Sequence, residues 1–259
     1  MDPFPLNLAG RRTWITGGTS GLGLAAADAF VRLGAPCTLL ARDPARGAEA
    51  VHALSGPGRA EAAFRALDVG DAARCGAELA DEIARRGAPR VVVHCAGALV
   101  REDLASATPE SFAQVFAPSV NGAVHVLRSA LPAMIAAGGG AVVLTSSYLA
   151  TRGGSGGMPL YGAAKAALLG LMKSLAVRHG PDGVRVNAVL PAFIETPLNR
   201  DVFETAPDPA AKRRETAARF PLGRYGAPGD FASAAVFLAS DAASWITGHG
   251  LVLDGGLTA

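Results

Sequence analysis

Short apolar runs alternate along the chain with longer segments in which apolar residues recur at helical spacing. The apolar runs predict seven strands, over residues 14–16, 37–41, 63–67, 91–94, 141–145, 184–190 and 251–253. The segments between them predict helices over about 21–33, 44–54, 72–86 and 160–179, with two more within 109–137. Strands that alternate with helices in this way indicate an α/β fold, in which a doubly wound parallel sheet carries helices on both faces. Each crossover between strands is expected to be right-handed.

The chain has 259 residues, and nothing between residues 10 and 255 has the composition of a linker. That length suits one large domain, so residues 1–259 are expected to form a single domain. The stretch at about 195–225 departs from the pattern because it contains four prolines and mixed charges. It is too long for an ordinary connection, and we expect it to form a lid or a substrate lobe.

Composition narrows the range of partners. The formal net charge is only +2 and no basic run stands out, so nucleic acid is not an expected partner. Three cysteines and five histidines show no metal-ligand spacing, which predicts no metal site and suits a reducing cytoplasm. Residues 1–5 lack the basic start and apolar core of a signal peptide. Residues 131–150 carry no charge, but Pro132 and Gly138–Gly140 favour a helix, a loop and a strand over a membrane span.

A glycine-rich turn follows the first predicted strand and opens the first predicted helix. It reads Thr-Gly-Gly-Thr-Ser-Gly-Leu-Gly over residues 16–23, with glycines at 17, 21 and 23. Glycines let the backbone approach a pyrophosphate closely, and a helix N-terminus offers free N–H groups and the positive end of its dipole. The turn therefore predicts a dinucleotide site. Its spacing differs from G-x-G-x-x-G, and a tight turn without a ligand is the alternative.

The end of the second predicted strand indicates which dinucleotide is bound. An acidic residue there would accept hydrogen bonds from the adenosine ribose, but the strand ends at Ala41 and Arg42 follows. A guanidinium at this place is suited to the 2′-phosphate of NADP, which makes NADP(H) the favoured cofactor. A strand register displaced by one residue would give Asp43 the acidic role and make NAD(H) the cofactor. In a third interpretation, Arg42 is only a surface charge.

Tyr161 and Lys165 stand four residues apart on a predicted helix, and therefore on one face, one turn apart. An ammonium beside a phenol stabilises the tyrosinate and should lower the pKa of the phenol. The pair can then give and take a proton nearer to neutral pH than a free tyrosine could. An exposed helix face without chemistry is the alternative for this pair taken alone.

Taken together, the motifs of this chain resemble those of the short-chain dehydrogenase/reductase family, from about residue 10 to residue 257. The matching segments are TGGTSGLG at 16–23, LDV at 67–69, CAG at 95–97, Asn121, TSS at 145–147, YGAAK at 161–165, RVNAVLPAFIETPL at 185–198 and ITGHGLVLDGG at 246–256. The resemblance is to members of the 3-oxoacyl-ACP reductase type. It implies a Rossmann-like fold, a nicotinamide dinucleotide and a single catalytic domain.

The resemblance also assigns catalytic roles. Tyr161 would protonate a carbonyl oxygen or deprotonate an alcohol, and Lys165 would lower the pKa of Tyr161 and hold the nicotinamide ribose. Ser147 would hydrogen-bond the reacting oxygen, and Asn121 would support a water that links Lys165 to solvent. The cofactor-binding residues that it implies are Gly17, Thr19, Ser20, Gly21, Leu22, Gly23, Ala41, Arg42, Asp68, Val69, Ala96, Gly97, Tyr161, Lys165, Pro191, Ile194 and Thr196.

Three departures from the family pattern are visible. Ser147 lies one residue further from Tyr161 than is usual, and the glycine-rich loop 153–157 can absorb the extra residue; Ser146 is the alternative hydroxyl, although Tyr148 stands in the usual register. His94-Cys95 replaces a common Asn-Asn pair, which makes Cys95 a core filler and His94 a packing residue at a strand end. Ala192 replaces a glycine beside the nicotinamide and would narrow the site or require a different backbone angle.

The resulting prediction is an NADP-dependent oxidoreductase that acts on a ketone and secondary-alcohol pair. The alternatives are an NAD-dependent alcohol dehydrogenase of the same family and a non-catalytic dinucleotide sensor. The pocket is expected to be lined by residues from 98–104, 148–160 and 195–222. Apolar residues in or next to these segments favour a hydrophobic or cyclic substrate, although each could be ordinary core: Leu99, Leu149, Met158, Leu160, Phe193, Leu198, Phe203 and Phe220. Glycines at 153, 154, 156 and 157 are expected to leave room near Tyr161. The resemblance further implies a homo-oligomer, a tetramer or a dimer.

Overall fold

A computed structural model describes residues 6–153 and 157–259 of the chain. Within these residues, one parallel sheet contains β1 Thr13–Thr16, β2 Cys37–Ala41, β3 Ala62–Ala66, β4 Val91–His94, β5 Gly140–Thr145, β6 Val184–Pro191 and β7 Gly250–Leu253. The strands lie in the order β3-β2-β1-β4-β5-β6-β7. The chain thus starts in the middle of the sheet, builds outwards to β3, and then crosses β1 to build the other half. The predicted doubly wound, Rossmann-like fold with seven parallel strands is confirmed.

The helices occupy the connections between the strands. They are α1 Gly21–Arg32, α2 Pro44–Leu54, α3 Ala72–Arg86, α4 Pro109–Phe116, α5 Gly122–Ala136, α6 Pro159–His179, α7 Asp201–Glu204, α8 Pro209–Ala218 and α9 Pro228–Ala239. A five-residue π-helical turn, Ala117–Asn121, joins α4 to α5. Several helices begin with proline in the first turn behind a capping side chain, as α2 does behind Asp43 and α4 behind Thr108.

Two apolar layers hold the helices to the sheet, because successive side chains of a strand point to opposite faces. On one face, Ile15 of β1 packs in the cluster that contains Phe30 of α1 and Phe231 of α9. On the other face, Trp14 lies in the cluster that contains Leu168 of α6 and residues of α3 and α5. The carboxyl ends of the central strands are left open between the layers, and this is where a ligand of a doubly wound sheet binds.

The helix α6 is long and apolar enough to satisfy the length and composition of a membrane span, the one such helix in the described part of the chain. It packs against β5, β6 and the π-helical turn. The buried face of α6, which carries Ala164, Leu168, Met172 and Ala176, packs there, while Val177 on the same helix is exposed.

The stretch at 195–225 forms a lobe built on α7 and α8. Its interior is an aromatic cluster in which Phe193, Phe203 and Tyr225 lie 5.4–5.6 Å apart between ring centroids. Phe203 and Phe220 are buried. Both were candidates for lining a substrate pocket, and the structure instead makes them core of the lobe. Gly154 and Gly156 lie outside the described residues, so the space expected at these glycines is not described.

Candidate active site

An open cavity of about 850 Å³ runs along the carboxyl ends of β1, β2, β4, β5 and β6. The cavity is lined by Arg42, which follows β2, and by Tyr161 and Lys165, which lie on α6. Its lining includes every residue that the sequence predicted to contact the cofactor: Gly17, Thr19, Ser20, Gly21, Leu22, Gly23, Ala41, Arg42, Asp68, Val69, Ala96, Gly97, Tyr161, Lys165, Pro191, Ile194 and Thr196. Ser147 lines the cavity as well.

The glycine-rich turn has the close packing that a pyrophosphate loop needs. Gly17 and Gly21 adopt positive φ angles of 62° and 51°, a region that favours glycine. A Cβ atom on Gly23 would lie 2.3 Å from the carbonyl oxygen of Gly17. The Ser20 side chain does not cap α1. The first N–H groups of α1 therefore face the cavity without a serine cap, which suits an anionic ligand.

At the adenosine end, β2 ends at Ala41 as the sequence predicted, so Arg42 is the first residue after the strand. Asp43 is engaged elsewhere: its Oδ1 accepts hydrogen bonds from the backbone N–H groups of Ala45, at 2.9 Å, and Arg46, at 3.3 Å. The carboxylate thus caps α2. The register on which the NADP interpretation depends is the one that the strand adopts.

Lys165 is almost completely buried, with 4 % of its surface exposed. Its Nζ donates a hydrogen bond to the carbonyl oxygen of Thr145 at 2.9 Å and lies 5.4 Å from the centroid of the Tyr161 ring. Burial lowers the pKa of Lys165 to about 8, against a smaller opposing effect of Cys95. One of the three ammonium protons is therefore used by Thr145, which leaves two for other acceptors.

Burial raises the pKa of Tyr161 to about 12. A hydrogen bond with Ser147 acts in the opposite direction, and the nearby Tyr148 adds to the increase. The sequence predicted a lowered value, and that direction is wrong. Loss of hydration outweighs the ammonium, which lies under the ring and bonds to Thr145 rather than to the phenol oxygen.

The two candidate serines have different hydrogen-bond partners. Ser146 is buried, and its hydroxyl donates to the backbone carbonyl of Lys165 at 2.8 Å. The Ser147 hydroxyl accepts a hydrogen bond from the Leu149 N–H at 3.2 Å and faces Tyr161. Ser147 is thus the hydroxyl beside the phenol, and Ser146 holds the helix that carries it.

The placement predicted for Asn121 is wrong. Asn121 is exposed and does not line the cavity. Ser119 is fully buried instead, and within the described residues its Oγ has no hydrogen-bond partner. A Cβ atom on Gly97 would lie 3.3 Å from Ser119 Oγ and 3.4 Å from Lys165 Nζ. The π-helical turn, which contains Pro118, directs Ser119 rather than Asn121 towards the lysine.

His94 connects the π-helical turn to the end of β1. Its Nε2 lies 2.8 Å from the carbonyl oxygen of Ser119, and its Nδ1 lies 2.9 Å from Thr16 Oγ1. A carbonyl oxygen can only accept, so Nε2 carries the proton and Nδ1 accepts from the threonine hydroxyl. Burial lowers the pKa of His94 to about 4, with a contribution from the charge of Lys165. The imidazole is therefore a neutral link at a strand end.

Cys95 stands beside this link and lines the cavity. The hydroxyl of Thr145 donates to its sulfur at 3.3 Å. Burial raises the pKa of the Cys95 thiol to about 11. The thiol is therefore neutral near pH 7 and fills space between β4 and β5.

Comparison with known proteins gives a consistent picture. The family model described as enoyl-(acyl carrier protein) reductase matches residues 17–258. The 3-oxoacyl-[acyl-carrier-protein] reductase of Chlamydia muridarum is 32% identical over 250 residues, covering 96% of this chain and 98% of that protein. The 4-formylbenzenesulfonate dehydrogenase of Comamonas testosteroni is 36% identical over 252 residues, covering 97% and 99%.

Solved structures share the whole fold. L-sorbose reductase of Gluconobacter frateurii, in complex with NADPH and L-sorbose, has a TM-score of 0.92 and 30% sequence identity, covering 99% of this chain and 100% of that one. A gluconate 5-dehydrogenase of Burkholderia cenocepacia, in complex with NADP and tartrate, has a TM-score of 0.90 and 30% identity, covering 98% and 97%. Each of these four proteins is named as a dehydrogenase or a reductase.

Proposed function

Because this chain belongs to the short-chain dehydrogenase/reductase family, we propose that it transfers a hydride between NADP(H) and a ketone or secondary alcohol, with Tyr161 as general acid and base. The class of enzyme, an NAD(P)-dependent oxidoreductase acting on CH–OH groups, is that of the family. One observation carries the proposal: Ser147, Tyr161 and Lys165 line the same cavity as the glycine-rich turn and Arg42.

The side chains supply proton transfer and orientation, while the nicotinamide, when bound, supplies or accepts the hydride. At neutral pH the Tyr161 phenol holds its proton, since its pKa is raised to about 12. A protonated phenol is the form that can donate to a carbonyl oxygen. The Ser147 hydroxyl beside it can donate a second hydrogen bond to the same oxygen, where negative charge develops.

Lys165 completes the proton path. With one proton bonded to Thr145, its ammonium keeps donors for the nicotinamide ribose and for a water. We assign to Ser119 the support of that water, the role that the resemblance gave to Asn121. The hydroxyl of Ser119 is buried near Lys165 Nζ above Gly97, and a buried hydroxyl is normally hydrogen-bonded.

NADP(H) is the proposed cofactor. Arg42 is exposed at the rim of the cavity, directly after β2, where its guanidinium can pair with a 2′-phosphate. NAD(H), the alternative, would call for a ribose-binding carboxylate, and Asp43 is already used as the cap of α2. Both solved neighbours named above contain NADP or NADPH.

The proposed substrate is a hydrophobic or cyclic ketone, or the corresponding alcohol. Ala98, Ala192 and Leu198 line the cavity, and Leu149 and Leu160 are half-buried on the segments that flank Tyr161. Ala98, Ala192 and Leu198 give part of the cleft an apolar wall. The proposed site of action is the cytoplasm.

Exposed apolar side chains around the sheet edge at β7 support a homo-oligomer. Trp245, just before β7, is 99% exposed, and Val252 on β7 is 46% exposed. An edge strand with exposed apolar residues is a surface that another copy of the chain can cover.

The decisive test combines cofactor titration with one substitution. The wild-type protein is titrated with NADPH and NADH, and turnover is measured with a set of cyclic and acyl ketones. Tyr161→Phe is expected to abolish turnover and leave NADPH affinity nearly unchanged. Turnover that survives this substitution would remove Tyr161 from proton transfer, and a wild type that binds NADPH without any turnover would favour a sensor.

The cofactor preference has its own variant. Arg42→Ala is expected to weaken NADPH binding by about tenfold or more, because a charged hydrogen bond is lost, and to leave NADH binding unchanged. The matched control is Arg178→Ala, at the exposed end of α6. Equal effects of Arg42→Ala on both cofactors would contradict the 2′-phosphate assignment.

A further inference from the structure

The segment that leads from β6 into the lobe is closed by one side-chain amide. Oδ1 of Asn199 accepts a hydrogen bond from the Thr196 N–H at 2.9 Å, and Nδ2 donates to the carbonyl oxygen of Ile194 at 2.9 Å. The Asn199 N–H donates in turn to the carbonyl oxygen of Thr196 at 3.1 Å. Asn199 is half-buried and lines the cavity. Sequence motifs gave it no role.

The family resemblance implies that the two residues held by Asn199, Ile194 and Thr196, fix the nicotinamide carboxamide. A primary amide is planar and offers an acceptor and a donor at fixed positions, so it can orient two peptide groups at once. A carboxylate lacks the donor and a hydroxyl has a shorter reach. Thr196 also packs against the glycine-rich turn, since a Cβ atom on Gly21 would lie 3.3 Å from the Thr196 Cβ.

A second tie to the same region is much weaker. Asp201, at the start of α7, pairs with Arg101 of the loop after β4 at 2.7 Å. Both side chains are substantially exposed, at 54% for Asp201 and 37% for Arg101. An exposed pair of this kind contributes little to rigidity, because solvent screens it and two long side chains must be ordered. The amide of Asn199 is thus the stronger constraint on the segment.

We propose that Asn199 is a positioning residue that fixes which face of the nicotinamide ring is presented to substrate, by holding Ile194 and Thr196 in one arrangement. This inference rests on the proposed function. It acts through those two residues and involves no contact of Asn199 with the reacting atoms. The adenosine half of the cofactor, held by the other end of the cavity, is not affected by it.

The test compares two ligands, and it compares two forms of NADPH that carry deuterium on opposite faces of the nicotinamide ring. Affinities are measured for NADPH and for 2′-phospho-ADP-ribose, which lacks the nicotinamide, and product deuterium is measured after transfer from NADPH deuterated at either face of ring carbon 4. Asn199→Ala is expected to weaken NADPH about tenfold, to leave 2′-phospho-ADP-ribose unchanged, and to let deuterium pass from the wrong face. Asn199→Asp keeps the acceptor and loses the donor, so an intermediate effect is expected.

Arg101→Ala is the matched control, since it cuts the other tie to the lobe and should leave both readouts as in the wild type. Equal weakening of both ligands in the Asn199 variants would show a general structural role and overturn the proposal. Unchanged NADPH affinity and strict facial selectivity would overturn it as well. Thermal unfolding identifies a variant that fails to fold, in which case Asn199→Asp decides.

Cofactor binding by the wild type alone shows whether the proposed function fails, independently of the inference about Asn199. If the wild type prefers NADH, the same comparison is made with NADH and ADP-ribose, and the inference about Asn199 is tested without the 2′-phosphate. If the wild type binds neither cofactor, the proposed function itself fails before any variant is measured.

Discussion

Replacing His94 by asparagine is expected to reduce the loss of folding stability that acid causes. His94 is buried between the Ser119 carbonyl and the Thr16 hydroxyl, and burial lowers its pKa from 6.5 to about 4. In the unfolded chain the imidazole takes up a proton near pH 6.5, whereas in the folded protein it stays neutral until a much lower pH. Acid therefore stabilises the unfolded state in preference to the folded state.

The size of the effect follows from the shift in the pKa. Stability is intact above pH 6.5 and is lost as the pH falls from 6.5 through about 4, the pKa of the folded state. Each pKa unit corresponds to about 1.4 kcal/mol, so the full loss is about 3 kcal/mol. About 2 kcal/mol of that loss falls between pH 7 and pH 5.

Urea unfolding at pH 7 and pH 5, followed by circular dichroism at one protein concentration, measures this loss. Between these pH values the wild type should lose about 2 kcal/mol more than His94→Asn, which keeps a polar side chain but cannot titrate. The exposed His52 provides the control: His52→Asn should behave as the wild type does. Paired carboxylates such as Glu195 protonate alike in all three proteins. Parallel losses in all three would refute the assignment of a neutral, buried His94.

Three further predictions concern the loop, the lysine and the surface. Gly23→Ala should abolish dinucleotide binding, because the new Cβ would lie 2.3 Å from a backbone oxygen, whereas Gly76→Ala, with open space around it, should bind normally in the same titration. Ser119→Ala should lower kcat. It should not lower the free energy of unfolding, because the hydroxyl that it removes is buried and unpaired within the described residues. An unchanged kcat would exclude Ser119 from the proton path of Lys165. Trp245→Glu should reduce the particle mass in light scattering and leave the melting temperature of the subunit nearly unchanged, because the indole is 99% exposed; an unchanged mass would place the contact between copies elsewhere.

The sheet could be predicted from the sequence because buried parallel strands are continuous apolar runs. β2 and β4 begin and end where the runs do, β3 is displaced by one residue, and each of the other strands is one residue longer at one end. The glycine-rich turn and the Tyr161–Lys165 pair could be placed because each depends on local geometry, a strand-to-helix turn or one helical turn. Such features are contained in a short segment, which a sequence displays directly.

The features that sequence reasoning missed depend on contacts between segments that are distant in the sequence. Ser119 could not be chosen over Asn121 because the π-helical turn changes which residue faces Lys165, and spacing alone assumes a regular helix. The direction of the Tyr161 pKa shift depends on burial, which only the folded chain creates. Phe203 and Phe220 are apolar in a loop-like stretch, and only the folded lobe shows that they form its core rather than a pocket wall.

The aromatic cluster of Phe193, Phe203 and Tyr225 makes the lobe a separable module. Phe193, from the segment just before the lobe, packs against Phe203 and Tyr225 within it, and Glu195 at its start accepts hydrogen bonds from Arg213 and Tyr225. Ser147, Tyr161 and Lys165 all precede it in the chain. Such a division lets evolution, or an engineer, exchange α7 and α8 for those of a relative and so change the substrate, while Thr196 and Asn199, which precede α7, are kept together with the proton-transfer residues.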